Sequence, residues 1–135
     1  MFTISNGRDS ISFEIEQTFF KSENQPYDEY FLRVWGQCDF LAFDKQVDAT
    51  RHDIDAFFRR LKQCYDALAG VCDVPSLSYE EDFSIRLSFS PTGAVQVTAT
   101  MRDNGMYANQ CRLEFDTDQT FIAETLRGMR ATFGF

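Results

Sequence analysis

The chain is predicted to fold as an antiparallel α+β protein, and three features predict it. Phe83–Phe89, Val95–Met101 and Cys111–Phe115 alternate apolar and polar residues with the period of half-buried strands. The two turns between them carry Gly93 and Gly105. Two other segments, from about Thr50 and from about Asp118, instead place apolar residues at helical spacing. The expected architecture is an antiparallel β-sheet of about six to seven strands, with two amphipathic helices packed on one face.

The first strand is short, Phe2 to Ser5, and Asn6-Gly7 is a hairpin signal. Ile11, Phe13, Ile15 and Phe19 alternate as a second strand. The polar stretch from Lys21 to Glu29, with Pro26, reads as a loop. Tyr30 to Trp35 is a third strand with apolar residues on both sides, Tyr30, Leu32 and Val34 against Phe31 and Trp35. Gly36 reads as a bulge or bend, and Phe40 to Phe43 as a short strand. Thr50, with Asp53 three residues on, resembles a capping box opening the first helix. Ile54, Phe57, Phe58, Leu61, Tyr65 and Leu68 form its apolar stripe, and Gly70 is its stop. Val71 to Asp82 is a connector, with a short strand around Leu77 to Tyr79.

Register in the last sheet segment follows from parity, because residues paired across strands share a face. The apolar positions of all three strands are odd-numbered, so both turns need an odd number of loop residues. Pro91-Thr92-Gly93 fits a type I turn followed by a left-handed glycine, and Asp103-Asn104-Gly105 fits the same geometry. The expected pairs are Phe89 with Val95, Leu87 with Val97, Val97 with Cys111 and Val95 with Leu113. That register leaves Asn109 facing Ala99 on the apolar side. The last helix runs from about Asp118 to Thr132, capped by Thr117 or Asp116 and burying Ile122, Leu126, Met129 and Phe133. A meander followed by a helix thus occurs twice, as a faint plan rather than a detectable repeat.

With 135 residues, 44% of them hydrophobic and 15 of them Phe, one domain can build a core without disulfides or metals. Asp and Glu number 21 against 13 Lys and Arg, a net charge of −8. No basic stripe is available to neutralise phosphates, so nucleic acid and anionic membrane surfaces are disfavoured as partners and a basic protein is favoured. No apolar run approaches the roughly 18 residues of a membrane span. The chain enters strand-like alternation at once, so no signal peptide is expected and the expected compartment is the cytoplasm. Cys38, Cys64, Cys72 and Cys111 match no zinc or redox spacing, and Cys64 and Cys111 read as small buried residues.

No catalytic, cofactor or metal site is legible. His52, the only histidine, sits between Arg51 and Asp53 at a helix start with no nucleophile or second ligand beside it. No phosphate loop, dinucleotide fingerprint or serine elbow occurs. Glu80-Glu81-Asp82 is the densest acidic run; it reads either as a solvated loop guarding a strand edge or as a contact for a basic partner. Asp28 and Glu29 are the next acidic candidates. Ser84, Arg86, Ser88, Gln96, Thr98, Thr100, Arg112 and Glu114 compose the open sheet face. Trp35 with Arg33 is a binding hot spot if exposed, unless a loop covers it, and Tyr107 is a second aromatic anchor.

From about Val47 to Phe133 the chain resembles small bacterial immunity proteins of the WapI type, found beside polymorphic and contact-dependent toxins. The resemblance rests on the helix ending Leu68-Ala69-Gly70, the Phe83 to Arg102 hairpin with Gly93, and Leu113-Glu114-Phe115 followed by Asp118-Gln119-Thr120. The first 46 residues share only a strand pattern. The resemblance implies a non-enzymatic protein that binds and neutralises a cognate toxin domain, typically a nuclease with a basic cleft. It carries over no catalytic residue. Glu80, Glu81, Asp82, Asp28, Glu29, Trp35 and Tyr107 are the candidate toxin contacts. A ligand-binding or structural domain, and a small enzyme with an unrecognised site, are the alternative readings.

Overall fold

A computed structural model describes residues 1–19, 28–75, 77, 82–103 and 109–135. The order is β1 (Phe2–Ser5), β2 (Ser10–Phe19), β3 (Glu29–Cys38), β4 (Leu41–Thr50), α1 (Arg51–Ala67), β5 (Gly70–Val74), β6 (Phe83–Phe89), β7 (Ala94–Arg102), β8 (Gln110–Asp118) and α2 (Gln119–Phe133). The fold is α+β and antiparallel, as expected. The strands number eight rather than six or seven, and they form two four-stranded sheets, β1-β2-β3-β4 and β5-β6-β7-β8. Each sheet is a meander that ends in a helix, so the faint two-part plan is realised in three dimensions.

The two strand-to-helix junctions are built alike. Thr50 is both the last residue of β4 and the N-cap of α1, its side chain accepting from the Asp53 amide. Asp118 ends β8 and caps α2, accepting from the Thr120 and Phe121 amides; the cap is therefore not Thr117 or Asp116. Extended backbone at the cap lets one residue close a strand and satisfy the first free amides of a helix. At the other end of α1, Leu68 is the C-cap in left-handed backbone (φ 50°) and is half-buried, so it is not the core residue its place on the stripe suggested. Gly70 stands two residues further on and opens β5.

Both sheets turn one face inward, and those faces share a continuous core with the buried stripes of both helices. Phe2 stacks on Phe13 at 4.5 Å between ring centroids, and Phe13 meets Phe57 of α1 and Phe83 of β6 edge-on. Phe133 of α2 closes the cluster against Phe2 and Tyr30. Phe57, Leu61, Leu126, Met129, Ile85, Leu87 and Val97 are all buried there. α1 packs on β5 and α2 packs on β1, so each helix lies against the first strand of the other meander. At Gly128 the backbones approach closely enough that a Cβ would stand 2.9 Å from Phe2 Cβ.

Register in the second sheet is partly as predicted. Phe89 pairs with Val95 and Leu87 with Val97. Gly93 has φ +89°, and its amide donates to Ser90 O at 3.0 Å, the expected type I turn with a left-handed glycine. The second hairpin keeps odd parity but is displaced: Val97 pairs with Phe115, Ala99 with Leu113 and Val95 with Thr117. Asp103 and Asn109 bracket the turn through an Asp103 N–H to Asn109 O bond of 2.8 Å, and the interior of that turn lies outside the described residues. The displacement moves Asn109 off the apolar face and sets the small Ala99 opposite fully buried Leu113.

Three further expectations need correction. Gly36 makes no bulge, since β3 and β4 pair without a break; the bulge lies in β2 between Ile15 and Gln17. Gly36 is instead where β3 meets β8, and a Cβ there would stand 2.7 Å from Leu113 Cδ1. The short strand after it is the ten-residue β4, Leu41–Thr50, whose inward Val47 and Ala49 follow the charged pair Asp44-Lys45 along the chain. Within the connector the described strand is β5, at Gly70–Val74, which the sequence did not mark as a strand, while the expected strand around Leu77 to Tyr79 falls mostly outside the described residues. Leu77 is buried, and Ser78 and Tyr79 lie outside the described residues.

Candidate functional site

The outward face of the first sheet is built by β2, β3 and β4. Alternation along β3 buries Tyr30, Leu32 and Val34 and sends Phe31, Arg33 and Trp35 outward. Pairing brings Glu14 opposite Arg33, Asp44 opposite Trp35 and Asp48 opposite Phe31. Arg33 grips Asp44 with two bonds, Nε to Oδ1 at 3.0 Å and Nη2 to Oδ2 at 2.7 Å. The same guanidinium lies 4.4 Å from the centroid of the Trp35 ring, a cation–π stack. The hydrogen bonds from Arg33 hold the Asp44 carboxyl below the usual carboxylate range. Those bonds, reinforced by the charges of Glu14 and Glu16, raise Arg33 further. Glu16 is the residue displaced by the β2 bulge, and its carboxylate accepts from Gln46 Nε2 at 2.7 Å. Phe19 and Phe31 meet edge-on at 4.9 Å.

Trp35 is thus on the outward face of the first sheet and half-buried, with the Arg33 guanidinium stacked on its ring. Glu29 starts β3 and, with Asp48, Thr50 and Asp53, lines a concavity of about 210 Å³ beside the start of α1. Asp28 is buried, and its carbonyl accepts from the Arg51 amide at 2.9 Å, tying the start of β3 to the start of α1. Asp82 is buried too, with its carboxylate 2.7 Å from Lys45 Nζ. The same Lys45 donates to Arg102 O, and Asp82 O accepts from the Arg102 amide. Asp82 therefore fastens β4 to the second sheet, and reversing its charge would leave two like charges in a desolvated place. Glu80, Glu81 and Tyr107 lie outside the described residues.

Sequence reasoning missed the tip of the β3–β4 hairpin. Asp39 takes left-handed backbone (φ 55°), and Phe40 beside it is 86% exposed. Leu41 is also exposed, and the tip borders Arg112 and Glu114 of the second sheet. The only signal was Asp39, a residue type that tolerates this conformation. An open groove of about 360 Å³ runs between β4 and the facing ends of β7 and β8, lined by Phe43, Lys45, Met101 and Cys111. His52 is exposed on the first turn of α1. Cys64 and Cys72 are buried, Cys38 and Cys111 half-buried, and all four are free thiols. Among the described residues no group of His, Cys, Asp or Glu is placed to hold a metal ion, and no helix is long and apolar enough to cross a membrane.

No curated protein and no solved structure matches the chain. One family model does match, and over far more of the chain than the Val47 to Phe133 stretch that carries the resemblance. It covers residues 1–133, including the whole first meander with its Arg33–Trp35 face. The chain belongs to the immunity protein WapI-like family.

Proposed function

We propose that this protein is a non-enzymatic immunity protein, which binds a cognate toxin domain in the bacterial cytoplasm and neutralises it by occupying its surface. Membership of the WapI-like immunity family carries this reading. The net charge of −8 supports a finer statement, that the bound toxin domain is basic and of the nuclease kind, since opposite charge accelerates encounter. Among the described residues, the groups whose acidity is shifted, an exposed Arg33–Asp44 pair and thiols at Cys38 and Cys72, suit recognition and packing better than proton transfer. Trp35 and Glu29 are proposed toxin contacts on the first sheet, and Glu80, Glu81 and Tyr107, which lie outside the described residues, remain proposed contacts. Asp28 and Asp82, both buried, would act by tying the start of β3 to α1 and β4 to the second sheet.

Co-expression with the toxin domain encoded beside this chain tests the proposal. Cells carrying both should grow, cells carrying the toxin alone should not, and the purified pair should associate more slowly as salt rises. Equal killing with and without this chain would overturn the reading, as would turnover of a small-molecule substrate by the purified protein alone.

A further inference from the structure

The two meanders are equivalent in topology, so their outward faces can be compared directly. The face of β5–β8 is polar and nearly balanced: Arg86, Arg102 and Arg112 stand against Asp73, Glu114, Asp116 and the helix-capping Asp118, and its described strand residues include no outward aromatic. The face of β1–β4 differs in both respects. Among its described residues, Glu14, Glu16, Glu29, Asp44 and Asp48 stand against one guanidinium, Arg33, which Asp44, Glu14 and Glu16 flank. Phe19, Phe31 and Trp35 all lie on it half-buried. Neither helix accounts for this difference, because both pack on the inner side of the fold.

We infer that the outward face of the first sheet is the docking surface for a basic toxin domain, with Trp35 as its central anchor. This rests on the toxin-immunity reading and adds where the contact is made. Excess negative charge steers a basic partner and sets its orientation. Half-buried aromatics give that partner apolar area to desolvate, and aromatic anchors carry a large share of interface energy. Trp35 is also held in advance. Arg33 stacks on it and is itself fixed by two bonds to Asp44, so little side-chain freedom is lost on docking. The competing surface is the hairpin tip, where Phe40 and Leu41 are exposed beside Arg112 and Glu114. It offers apolar area without the charge bias that a basic partner would select.

The test measures binding of the toxin domain encoded beside this chain to the full-length protein and to four variants, each checked for wild-type thermal unfolding. A Glu14→Lys, Asp48→Lys double variant should lower the association rate by about tenfold or more at low salt, and the loss should shrink at high salt. Trp35→Ala should raise Kd by roughly 30-fold, through faster dissociation. Glu114→Lys on the second sheet and Phe40→Ser at the hairpin tip should each leave Kd within about threefold of wild type. Should Trp35→Ala unfold the chain, hydrogen exchange on the wild-type complex decides, with protection expected along β2, β3 and β4. Wild-type binding that survives the first two changes, or is lost with Phe40→Ser or Glu114→Lys, overturns the inference while leaving the toxin-immunity reading standing. Failure of the wild-type chain to bind at all overturns both.

Discussion

At the scale of single residues, burial governs the thiols. Cys72 is fully enclosed between β6 and α1, and desolvation first, then the neighbouring Cys64, pushes its thiol from the ordinary 9.0 up to about 12. A raised acid pKa means that the folded state keeps a proton the unfolded state gives up. The stabilisation is therefore complete below pH 9.0 and is lost as pH rises towards about 12. Chemical denaturation should show stability falling across that window, with a smaller fall in Cys72→Ala. At pH 8, iodoacetamide should label Cys72 of the native protein far more slowly than in denaturant; equal rates would mean that Cys72 is not enclosed. Asp82 makes a related point about legibility. Its partner, Lys45, is remote in the chain and lies on a different sheet, so nothing local distinguished a buried ion pair from a solvated acidic run. Arg33 and Trp35 could be placed on one outward face because strand parity is local, whereas Phe40 could not be placed at a tip because Cys38-Asp39-Phe40-Leu41 contains no Gly, Pro or Asn to mark a turn.

At the scale of elements, legibility followed the number of independent cues. The first turn of the second sheet needed a left-handed residue, had Gly93, and was placed correctly. The second had several odd loop lengths open to it, and its mispaired Asn109 was the sign that the shorter loop was wrong. β5 turns Gly70, Cys72 and Val74 inward, but Gly70 has no side chain and apolar Val71 faces outward between them, so the strand shows no clear alternation to read. The contact between α2 and β1 supplies a prediction at this scale. Ala at position 128 would improve intrinsic helix propensity by about 0.8–1 kcal/mol. Its Cβ would however lie 2.9 Å from Phe2 Cβ and 3.2 Å from Phe2 Cα, and Phe2 is wedged between Phe13, Phe57 and Phe133. Gly128→Ala should therefore destabilise the protein by a net ~1–3 kcal/mol in urea denaturation; a gain in stability would show that β1 moves away from α2 without cost.

At the scale of the whole molecule, the two halves are interlocked rather than stacked. Each helix leaves the fourth strand of its own meander and packs on the first strand of the other. The central ring cluster takes Phe2 and Phe13 from one half, Phe83 and Phe133 from the other, and Phe57 from the helix between. Separate polypeptides covering residues 1–68 and 69–135 should each lack cooperative unfolding by circular dichroism, because neither can bury its inner sheet face alone. Mixed in equal amounts they should regain a folded spectrum and a thermal transition. A fragment that folds by itself would show that the shared core is dispensable to one half. The outward faces stand apart from this interlock. Along β2, β3 and β4, alternate residues answer to two different constraints, one set to the shared core and the other to whatever arrives from outside. With the first sheet's face as the proposed docking surface, substitutions at Glu14, Arg33, Trp35, Asp44 or Asp48 would change what is recognised while Phe13, Leu32, Val34 and Val47 keep the fold as it is. A lineage whose adversary keeps changing can follow it along one side of a single sheet, with no compensating change inside.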